Sequence, residues 1–190
     1  MLLCPSMDAF ESLTKSFLEL EGFWVRSSYK VNLTKEDKVA ISRHTCPRWE
    51  IDLVAYKAAT NELRLVECKS YLDSTGVQFS AFKGTEPAGR YKLFTDSTVR
   101  DVVTRRLIAE LVECGSCLPE PRSLLCLAAG KMKNESDRQL LREHFKANGW
   151  LLWDDEWIKK RLTQMSKGSY ENDVASVVAK LLLRSSAAHA

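Results

Sequence analysis

Apolar residues recur at helical spacing from about Met7 to Leu20, where Phe10, Leu13, Phe17 and Leu18 mark one face. Asp8 suits the positive N-terminal end of that helix, and Gly22 stops it. The period then changes. "FWVRSSYKVNL", residues 23–33, is rich in aromatic and β-branched positions and predicts a strand. Residues 33–48 are polar, end in "RHTCPRW" and predict a loop. "WEIDLVAY", 49–56, alternates cleanly; "KAATNE" is a turn; "LRLVECK", 63–69, is the next strand. Residues 72–95 show no period.

A second amphipathic helix is predicted over 98–114, with Thr98 and Asp101 spaced as a capping box. "SLLCLAAG" is a short apolar run bounded by Pro and Gly, the pattern of a buried strand. Asn134 and Gly149 bracket a helix as cap and stop. "WLLW" is a short strand, and helices over about 155–166 and 171–184 follow. The first three strands are close enough in sequence to be antiparallel, and the strand after the long helix returns parallel to one of them. The expected fold class is α/β, a mixed central sheet flanked by helices. The whole chain, 1–190, reads as one domain with a core at about 7–130 and a C-terminal extension at about 131–190.

Composition narrows the class. The 190 residues are 45% hydrophobic and 28% charged, the balance of an ordinary globular chain. A formal charge of +3 permits a nucleic-acid partner without arguing for one. No apolar run approaches the ~20 residues of a membrane span, and the N-terminus lacks a signal-peptide pattern, so no membrane partner and a cytoplasmic location are expected. The six cysteines are scattered and read as small buried hydrophobes. Cys114 and Cys117 form a lone CxxC without the second pair a zinc site wants; His44 and Cys46 are the nearest candidates to complete one.

"LRLVECKSY" carries the chemistry. The face that bears Leu63 and Leu65 ends in Glu67 and Lys69. If the preceding turn is centred between Ala59 and Thr60, Asp52 lies opposite Glu67 and Glu50 opposite Lys69, while Ile51, Leu53 and Ala55 share the other face. Opposed carboxylates destabilise a sheet by about 0.2–1 kcal/mol, so structure alone gives little reason to keep them. A divalent cation reverses the sign, because two hard oxygen ligands are what Mg²⁺ takes. The bland alternative is a solvent-facing strand end with Glu50 and Lys69 as a cross-strand ion pair.

"EIDLVAY" followed by "LRLVECKSY" resembles the PD-(D/E)XK nuclease superfamily, which includes restriction endonucleases and Holliday-junction resolvases. The resemblance covers roughly residues 7–130. It implies a restriction-endonuclease-like sandwich and an Mg²⁺- or Mn²⁺-dependent endonuclease acting on DNA. It implies that Asp52, Glu67 and the Cys68 backbone carbonyl hold the metal, that Lys69 orients the attacking water, and that Glu11 on the first helix completes the site. Ser70 after the lysine is similar to the resolvase-like branch. Glu50, in "EID", and Gln78 are secondary candidates; Ile51 stands where the name-giving proline would be. Many relatives act as homodimers, and a second copy is a further expectation.

Arg43, Arg48, Lys83, Arg90 and Lys92 are the candidates for phosphate contact: Lys83, Arg90 and Lys92 are interleaved with aromatics, a composition that suits phosphate contact and base stacking, and Arg43 and Arg48 sit just before Asp52. For Phe79, Phe82, Tyr91 and Phe94 the core reading is preferred over base stacking. Trp150, Trp153 and Trp157 likewise read as core, and the "VASVVAKLLL" stripe as core or an oligomer surface. Two alternatives stand beside the nuclease: an inactive DNA-binding protein of the same fold, and an unrelated α/β protein with a chance Glu-x-Lys, in which Asp52 and Glu67 would diverge.

Overall fold

A computed structural model describes residues 8–43, 45, 48–83, 90–169 and 172–183. Helix α1, Ala9–Leu20, is capped by the Asp8 carboxylate, which accepts the Phe10 N–H at 2.8 Å. Strand β1, Trp24–Asn32, pairs antiparallel with β2, Arg48–Lys57, which pairs antiparallel with β3, Glu62–Lys69. Strands β4, Arg122–Ala129, and β5, Leu151–Trp153, then add in parallel. The sheet order is β1-β2-β3-β4-β5, a five-stranded mixed sheet, as the short β1–β3 links and the helical crossover to β4 dictate. The β2–β3 pairs include Leu53↔Val66 and Val54↔Leu65, the register expected from a turn centred between Ala59 and Thr60.

Between β1 and β2 a short helix α2, Lys35–Ala40, replaces the expected loop. Its charged sequence shows no apolar period, but Thr34 and Asp37 close a reciprocal capping box at 3.1 and 3.0 Å. Asp37 is buried beneath Arg105 at 2.7 Å and Arg106 at 3.3 Å. Both arginines are therefore engaged, although Arg105 stays largely exposed.

A one-turn helix α3, Lys92–Thr95, leads into α4, Ser97–Glu113. The cap of α4 is Asp96, which accepts the Val99 N–H at 3.1 Å, rather than the expected Thr98–Asp101 box. The helix begins one residue earlier than its apolar pattern shows, so Thr98 falls inside the first turn. Helix α5, Glu135–Ala147, is capped by Asn134 as expected. Helices α6, Asp155–Lys167, and α7, Val174–Leu183, follow.

Two cores sandwich the sheet. One face packs α4 and an aromatic group of Phe82, Tyr91, Phe94, Phe145 and Trp150 over Val54, Leu63, Leu65 and Leu127. The other packs α1, α6 and α7 over Leu53, Ala55, Val66, Cys68 and Cys126. Each fully buried Leu or Phe contributes about 1.5–3 kcal/mol. Trp153 stacks on Trp157 at 4.7 Å, so the tryptophans are core. Strand β5 extends the same sheet, and α6 and α7 share the face of α1, so residues beyond 131 are built onto the core. The outer face of α7 exposes Val174, Val178, Leu181 and Leu182. Among the described residues, no helix is long and apolar enough to cross a membrane. Cys68, Cys117 and Cys126 are buried free thiols and Cys114 is exposed; His44 and Cys46 lie outside the described residues.

Candidate active site

Strand β2 changes phase at Asp52. Ile51 packs with the α4-side core, whereas Leu53, two residues on, packs with the α1-side core. A regular strand would put both on one side, as the alternation predicts. The distortion spans both strands: β1–β2 pairing passes from Ser27↔Leu53 to Tyr29↔Ile51 in one register, skipping Asp52 and Ser28 opposite it, and Ser28 sits at φ +48°. The β2–β3 pairs end at Leu53↔Val66. Beyond that point the Asp52 carboxylate reaches across, and its Oδ2 accepts the Cys68 N–H at 2.7 Å. Amide and carbonyl of one strand residue share an edge, so the Cys68 carbonyl faces the same gap.

Lys69 joins the two carboxylates. Its Nζ lies 2.6 Å from Glu67 Oε1 and 3.9 Å from Asp52 Oδ2. The carboxylates therefore cannot be farther apart than those two distances laid end to end. Glu50 does not pair with Lys69; it meets its register partner Lys30 at 3.9 Å. On the far side of β3, Gly130 follows β4 and donates its N–H to the Lys69 carbonyl at 2.9 Å. A Cβ at Gly130 would overlap the Ser70 carbonyl, so glycine lets the end of β3 sit flush on its neighbour. That packing is where the structure places Ser70.

Charge is out of balance here. Burial pushes the Glu67 carboxyl up; Lys69 pulls it down, and Asp52 pushes it up again. Burial works to lower Lys69, but Glu67 and Asp52 outweigh it and hold the ammonium above its ordinary value. Both values move up, which favours the charged form of Lys69 and disfavours that of Glu67. Lys69 has two carboxylates to itself, whereas Glu67 shares one ammonium with Asp52, so Lys69 stays charged and Glu67 carries the strain. Glu11 on α1 is also pushed up, by burial first and then by Asp52, Asp8 and Glu50, against Lys69.

A cleft of about 330 Å³ opens over the pair. Asp52, Glu67 and Glu50 line it, with Arg43, Arg48, Arg90 and Lys92 around them. Four of the five basic candidates thus meet at the carboxylates, although Arg90 and Lys92 lie some forty residues from Arg43 and Arg48 in sequence. Arg43 lies over the Trp49 ring at 4.8 Å. Lys83 lies apart, its ammonium 5.2 Å over Phe79. Phe82, Tyr91 and Phe94 are buried, the core role expected of them. A larger cavity, about 680 Å³ beside α4, contains none of Asp52, Glu67 or Lys69, so size does not mark the chemistry.

Two side chains beside the site were not selected from sequence. Lys131 and Lys133 follow β4, and a parallel bridge, Val77↔Met132, sets them against the loop after β3. Lys133 Nζ donates to Gln78 Oε1 at 3.1 Å, which places Gln78 on that loop rather than between the carboxylates. Only a contact between distant loops reveals them, and no local pattern carries that signal.

The donor set fits a hard divalent cation: two carboxylate groups and a carbonyl converge on one gap, with negative charge in excess of the single ammonium. Asp52, Glu67 and the Cys68 carbonyl are the groups that would hold it. Among the described residues, no three or more His, Cys, Asp or Glu side chains stand close enough together to hold a metal, so Glu11 does not close a three-carboxylate group with Asp52 and Glu67. Compared with protein-family models, with curated proteins and with solved structures, the chain matches none.

Proposed function

We propose that this chain is an Mg²⁺- or Mn²⁺-dependent nuclease of the PD-(D/E)XK kind, with a restriction-endonuclease-like sandwich, hydrolysing phosphodiester bonds of DNA. One observation carries the reading: Asp52, Glu67 and Lys69 meet where β2 and β3 part. The chance-motif alternative needs the two carboxylates to diverge, and they instead share Lys69. The order helix, three antiparallel strands, helix, parallel strand supports the same reading.

When bound, a divalent cation supplies Lewis-acid charge beside the reacting phosphate. The chain's own residues supply the rest. Glu67 and Asp52 hold Lys69 so that its ammonium faces the place where phosphate negative charge accumulates. Held by those carboxylates, Lys69 serves as hydrogen-bond donor and point charge, orienting the attacking water or a phosphate oxygen. Arg43, Arg48, Arg90 and Lys92 draw the DNA backbone toward the cleft.

The test is a panel of labelled linear, branched and single-stranded DNA incubated with Mg²⁺, Mn²⁺ or chelator. Metal-dependent cutting of at least one substrate is expected. Absence of cutting across the panel, with the protein folded, removes the nuclease reading.

A further inference from the structure

A second, smaller cleft of about 150 Å³ adjoins the carboxylates. Tyr71, Ser74, Gly76, Gln78, Arg90 and Tyr91 line it, and Arg90 and Tyr91 line the carboxylate cleft too, so the two share a wall. Among the described residues no acidic residue lines the smaller cleft, whereas Glu50, Asp52 and Glu67 line the larger. Lys131 and Lys133 hold two residues of its lining: Lys131 Nζ donates to the Ser74 carbonyl at 2.6 Å and Lys133 Nζ to Gln78 Oε1. Neither lysine pairs with a carboxylate among the described residues.

The loop that forms this cleft is held firmly. Val77 N–H donates to the Lys131 carbonyl and Lys133 N–H to the Val77 carbonyl, both at 2.9 Å. Gly76 sits at φ +88°, and a Cβ there would meet the Met132 carbonyl carbon at 2.7 Å, so the two loops lie backbone to backbone. Met132 is buried between its two lysines. Tyr71, the second residue past Lys69, occupies the left-handed region at φ +45°, which an aromatic side chain adopts only when its surroundings impose it.

We propose that this cleft is a phosphate subsite: Arg90, Lys131 and Lys133 hold the phosphodiester backbone next to the scissile phosphate and lead the strand away from the carboxylates. This rests on the nuclease reading. A cleft whose described lining carries Arg90 and no carboxylate, and whose Ser74 and Gln78 are held by ammonium groups through neutral oxygens, favours an anion. Its wall shared with the carboxylate cleft makes the backbone of the same strand the occupant. Arg90 and Tyr91 form that shared wall.

The experiment measures DNA affinity in Ca²⁺ across salt concentrations, for wild type and for the double variant Lys131→Gln/Lys133→Gln. Glutamine keeps a donor for Ser74 and Gln78 and removes only charge. Each lost phosphate contact lowers the slope of log affinity against log salt by about 0.7–0.9, so a drop of about 1.5 is expected, with weaker binding to all sequences alike. An unchanged slope, with wild type binding and cutting normally, overturns the subsite and leaves the nuclease reading standing. A wild type that neither binds nor cuts overturns both. Circular dichroism of the variant, matching wild type, excludes misfolding as the source of a lowered slope.

Discussion

Two clusters of acid and base in this molecule are built on opposite principles. Between α5 and α6, Arg138 and Arg142 meet Asp154, Asp155 and Glu156. Arg142 Nε donates to Asp154 at 2.7 Å and its Nη2 to Glu156 at 2.8 Å, while Arg138 forks onto Asp155. Asp154 also caps α6 through the Trp157 N–H at 2.9 Å. Its neighbour Glu156 is held below the usual carboxylate range by the Arg142 hydrogen bond and then by Arg138. At the parting of β2 and β3, by contrast, a single ammonium serves two carboxylates, and Glu67 and Glu11 are pushed up instead of down. The first cluster stabilises the apo protein by itself. In the second, Asp52 and Glu67 divide one ammonium between them, and burial leaves the Glu67 carboxyl pushed up.

The largest expected effect separates the clusters by function. Lys69→Ala lowers DNA cleavage by about 100- to 1000-fold, the cost of removing one group that stabilises transition-state charge. Gel-shift in Ca²⁺ shows binding largely retained, because many contacts share that work. Lys69→Arg does not rescue cutting, since a planar fork cannot replace a compact ammonium. Equal cleavage by wild type and Lys69→Ala takes the lysine out of the mechanism.

Stability sharpens the contrast from the other side. Asp154→Ala removes a helix cap and leaves Arg142 without its buried partner, and urea unfolding is expected to show a loss of about 3 kcal/mol. Glu67→Gln, in chelator, stays within about 1 kcal/mol of wild type or gains slightly, because it removes a like-charge opposition. A strongly destabilised Glu67→Gln would make Glu67 a structural ion-pair member like Asp154, and the comparison would collapse.

The smallest effect is a pH dependence. The folded-state pKa of Glu67 is raised, so as pH falls through it the folded protein takes up a proton before the unfolded chain does. Wild type therefore gains stability relative to Glu67→Gln on acidification, and the gain levels off below the ordinary carboxylate range. Asp37 acts in reverse: its folded pKa is depressed, so the stability it contributes is lost as pH falls below its ordinary value. Because Asp37 is common to both proteins, subtracting their unfolding curves isolates Glu67. A difference that shrinks steadily in the other direction refutes the assignment.

Much of this was legible in one chain. The β2–β3 register follows from turn position alone, because strand period is two and a hairpin leaves little freedom. Caps at Asp8 and Asn134 announce themselves by residue type. Helix α2 does not, since its stability comes from Asp37 meeting Arg105 and Arg106 across the fold, which no local period encodes. The phase change at Asp52 was equally hidden: "WEIDLVAY" alternates without a break, and the distortion is shared with Ser28 on the neighbouring strand. That distortion frees the Asp52 carboxylate to reach the Cys68 amide. The sequence reading thus named Asp52, Glu67 and Lys69, which the fold brings together, while the distortion at Asp52 shows only in the pairing of two strands.

The claim that Asp52 and Glu67 are kept for a divalent cation is tested most directly by Mn²⁺ titration of the apo protein, followed by calorimetry and by thermal melting. Wild type is expected to bind one Mn²⁺ and to melt higher as the ion is added. Asp52→Asn and Glu67→Gln should each lose both responses, while Glu156→Gln, drawn from the self-satisfied cluster, should keep them. Wild type without Mn²⁺ binding, or variants that bind as well as wild type, would contradict the account.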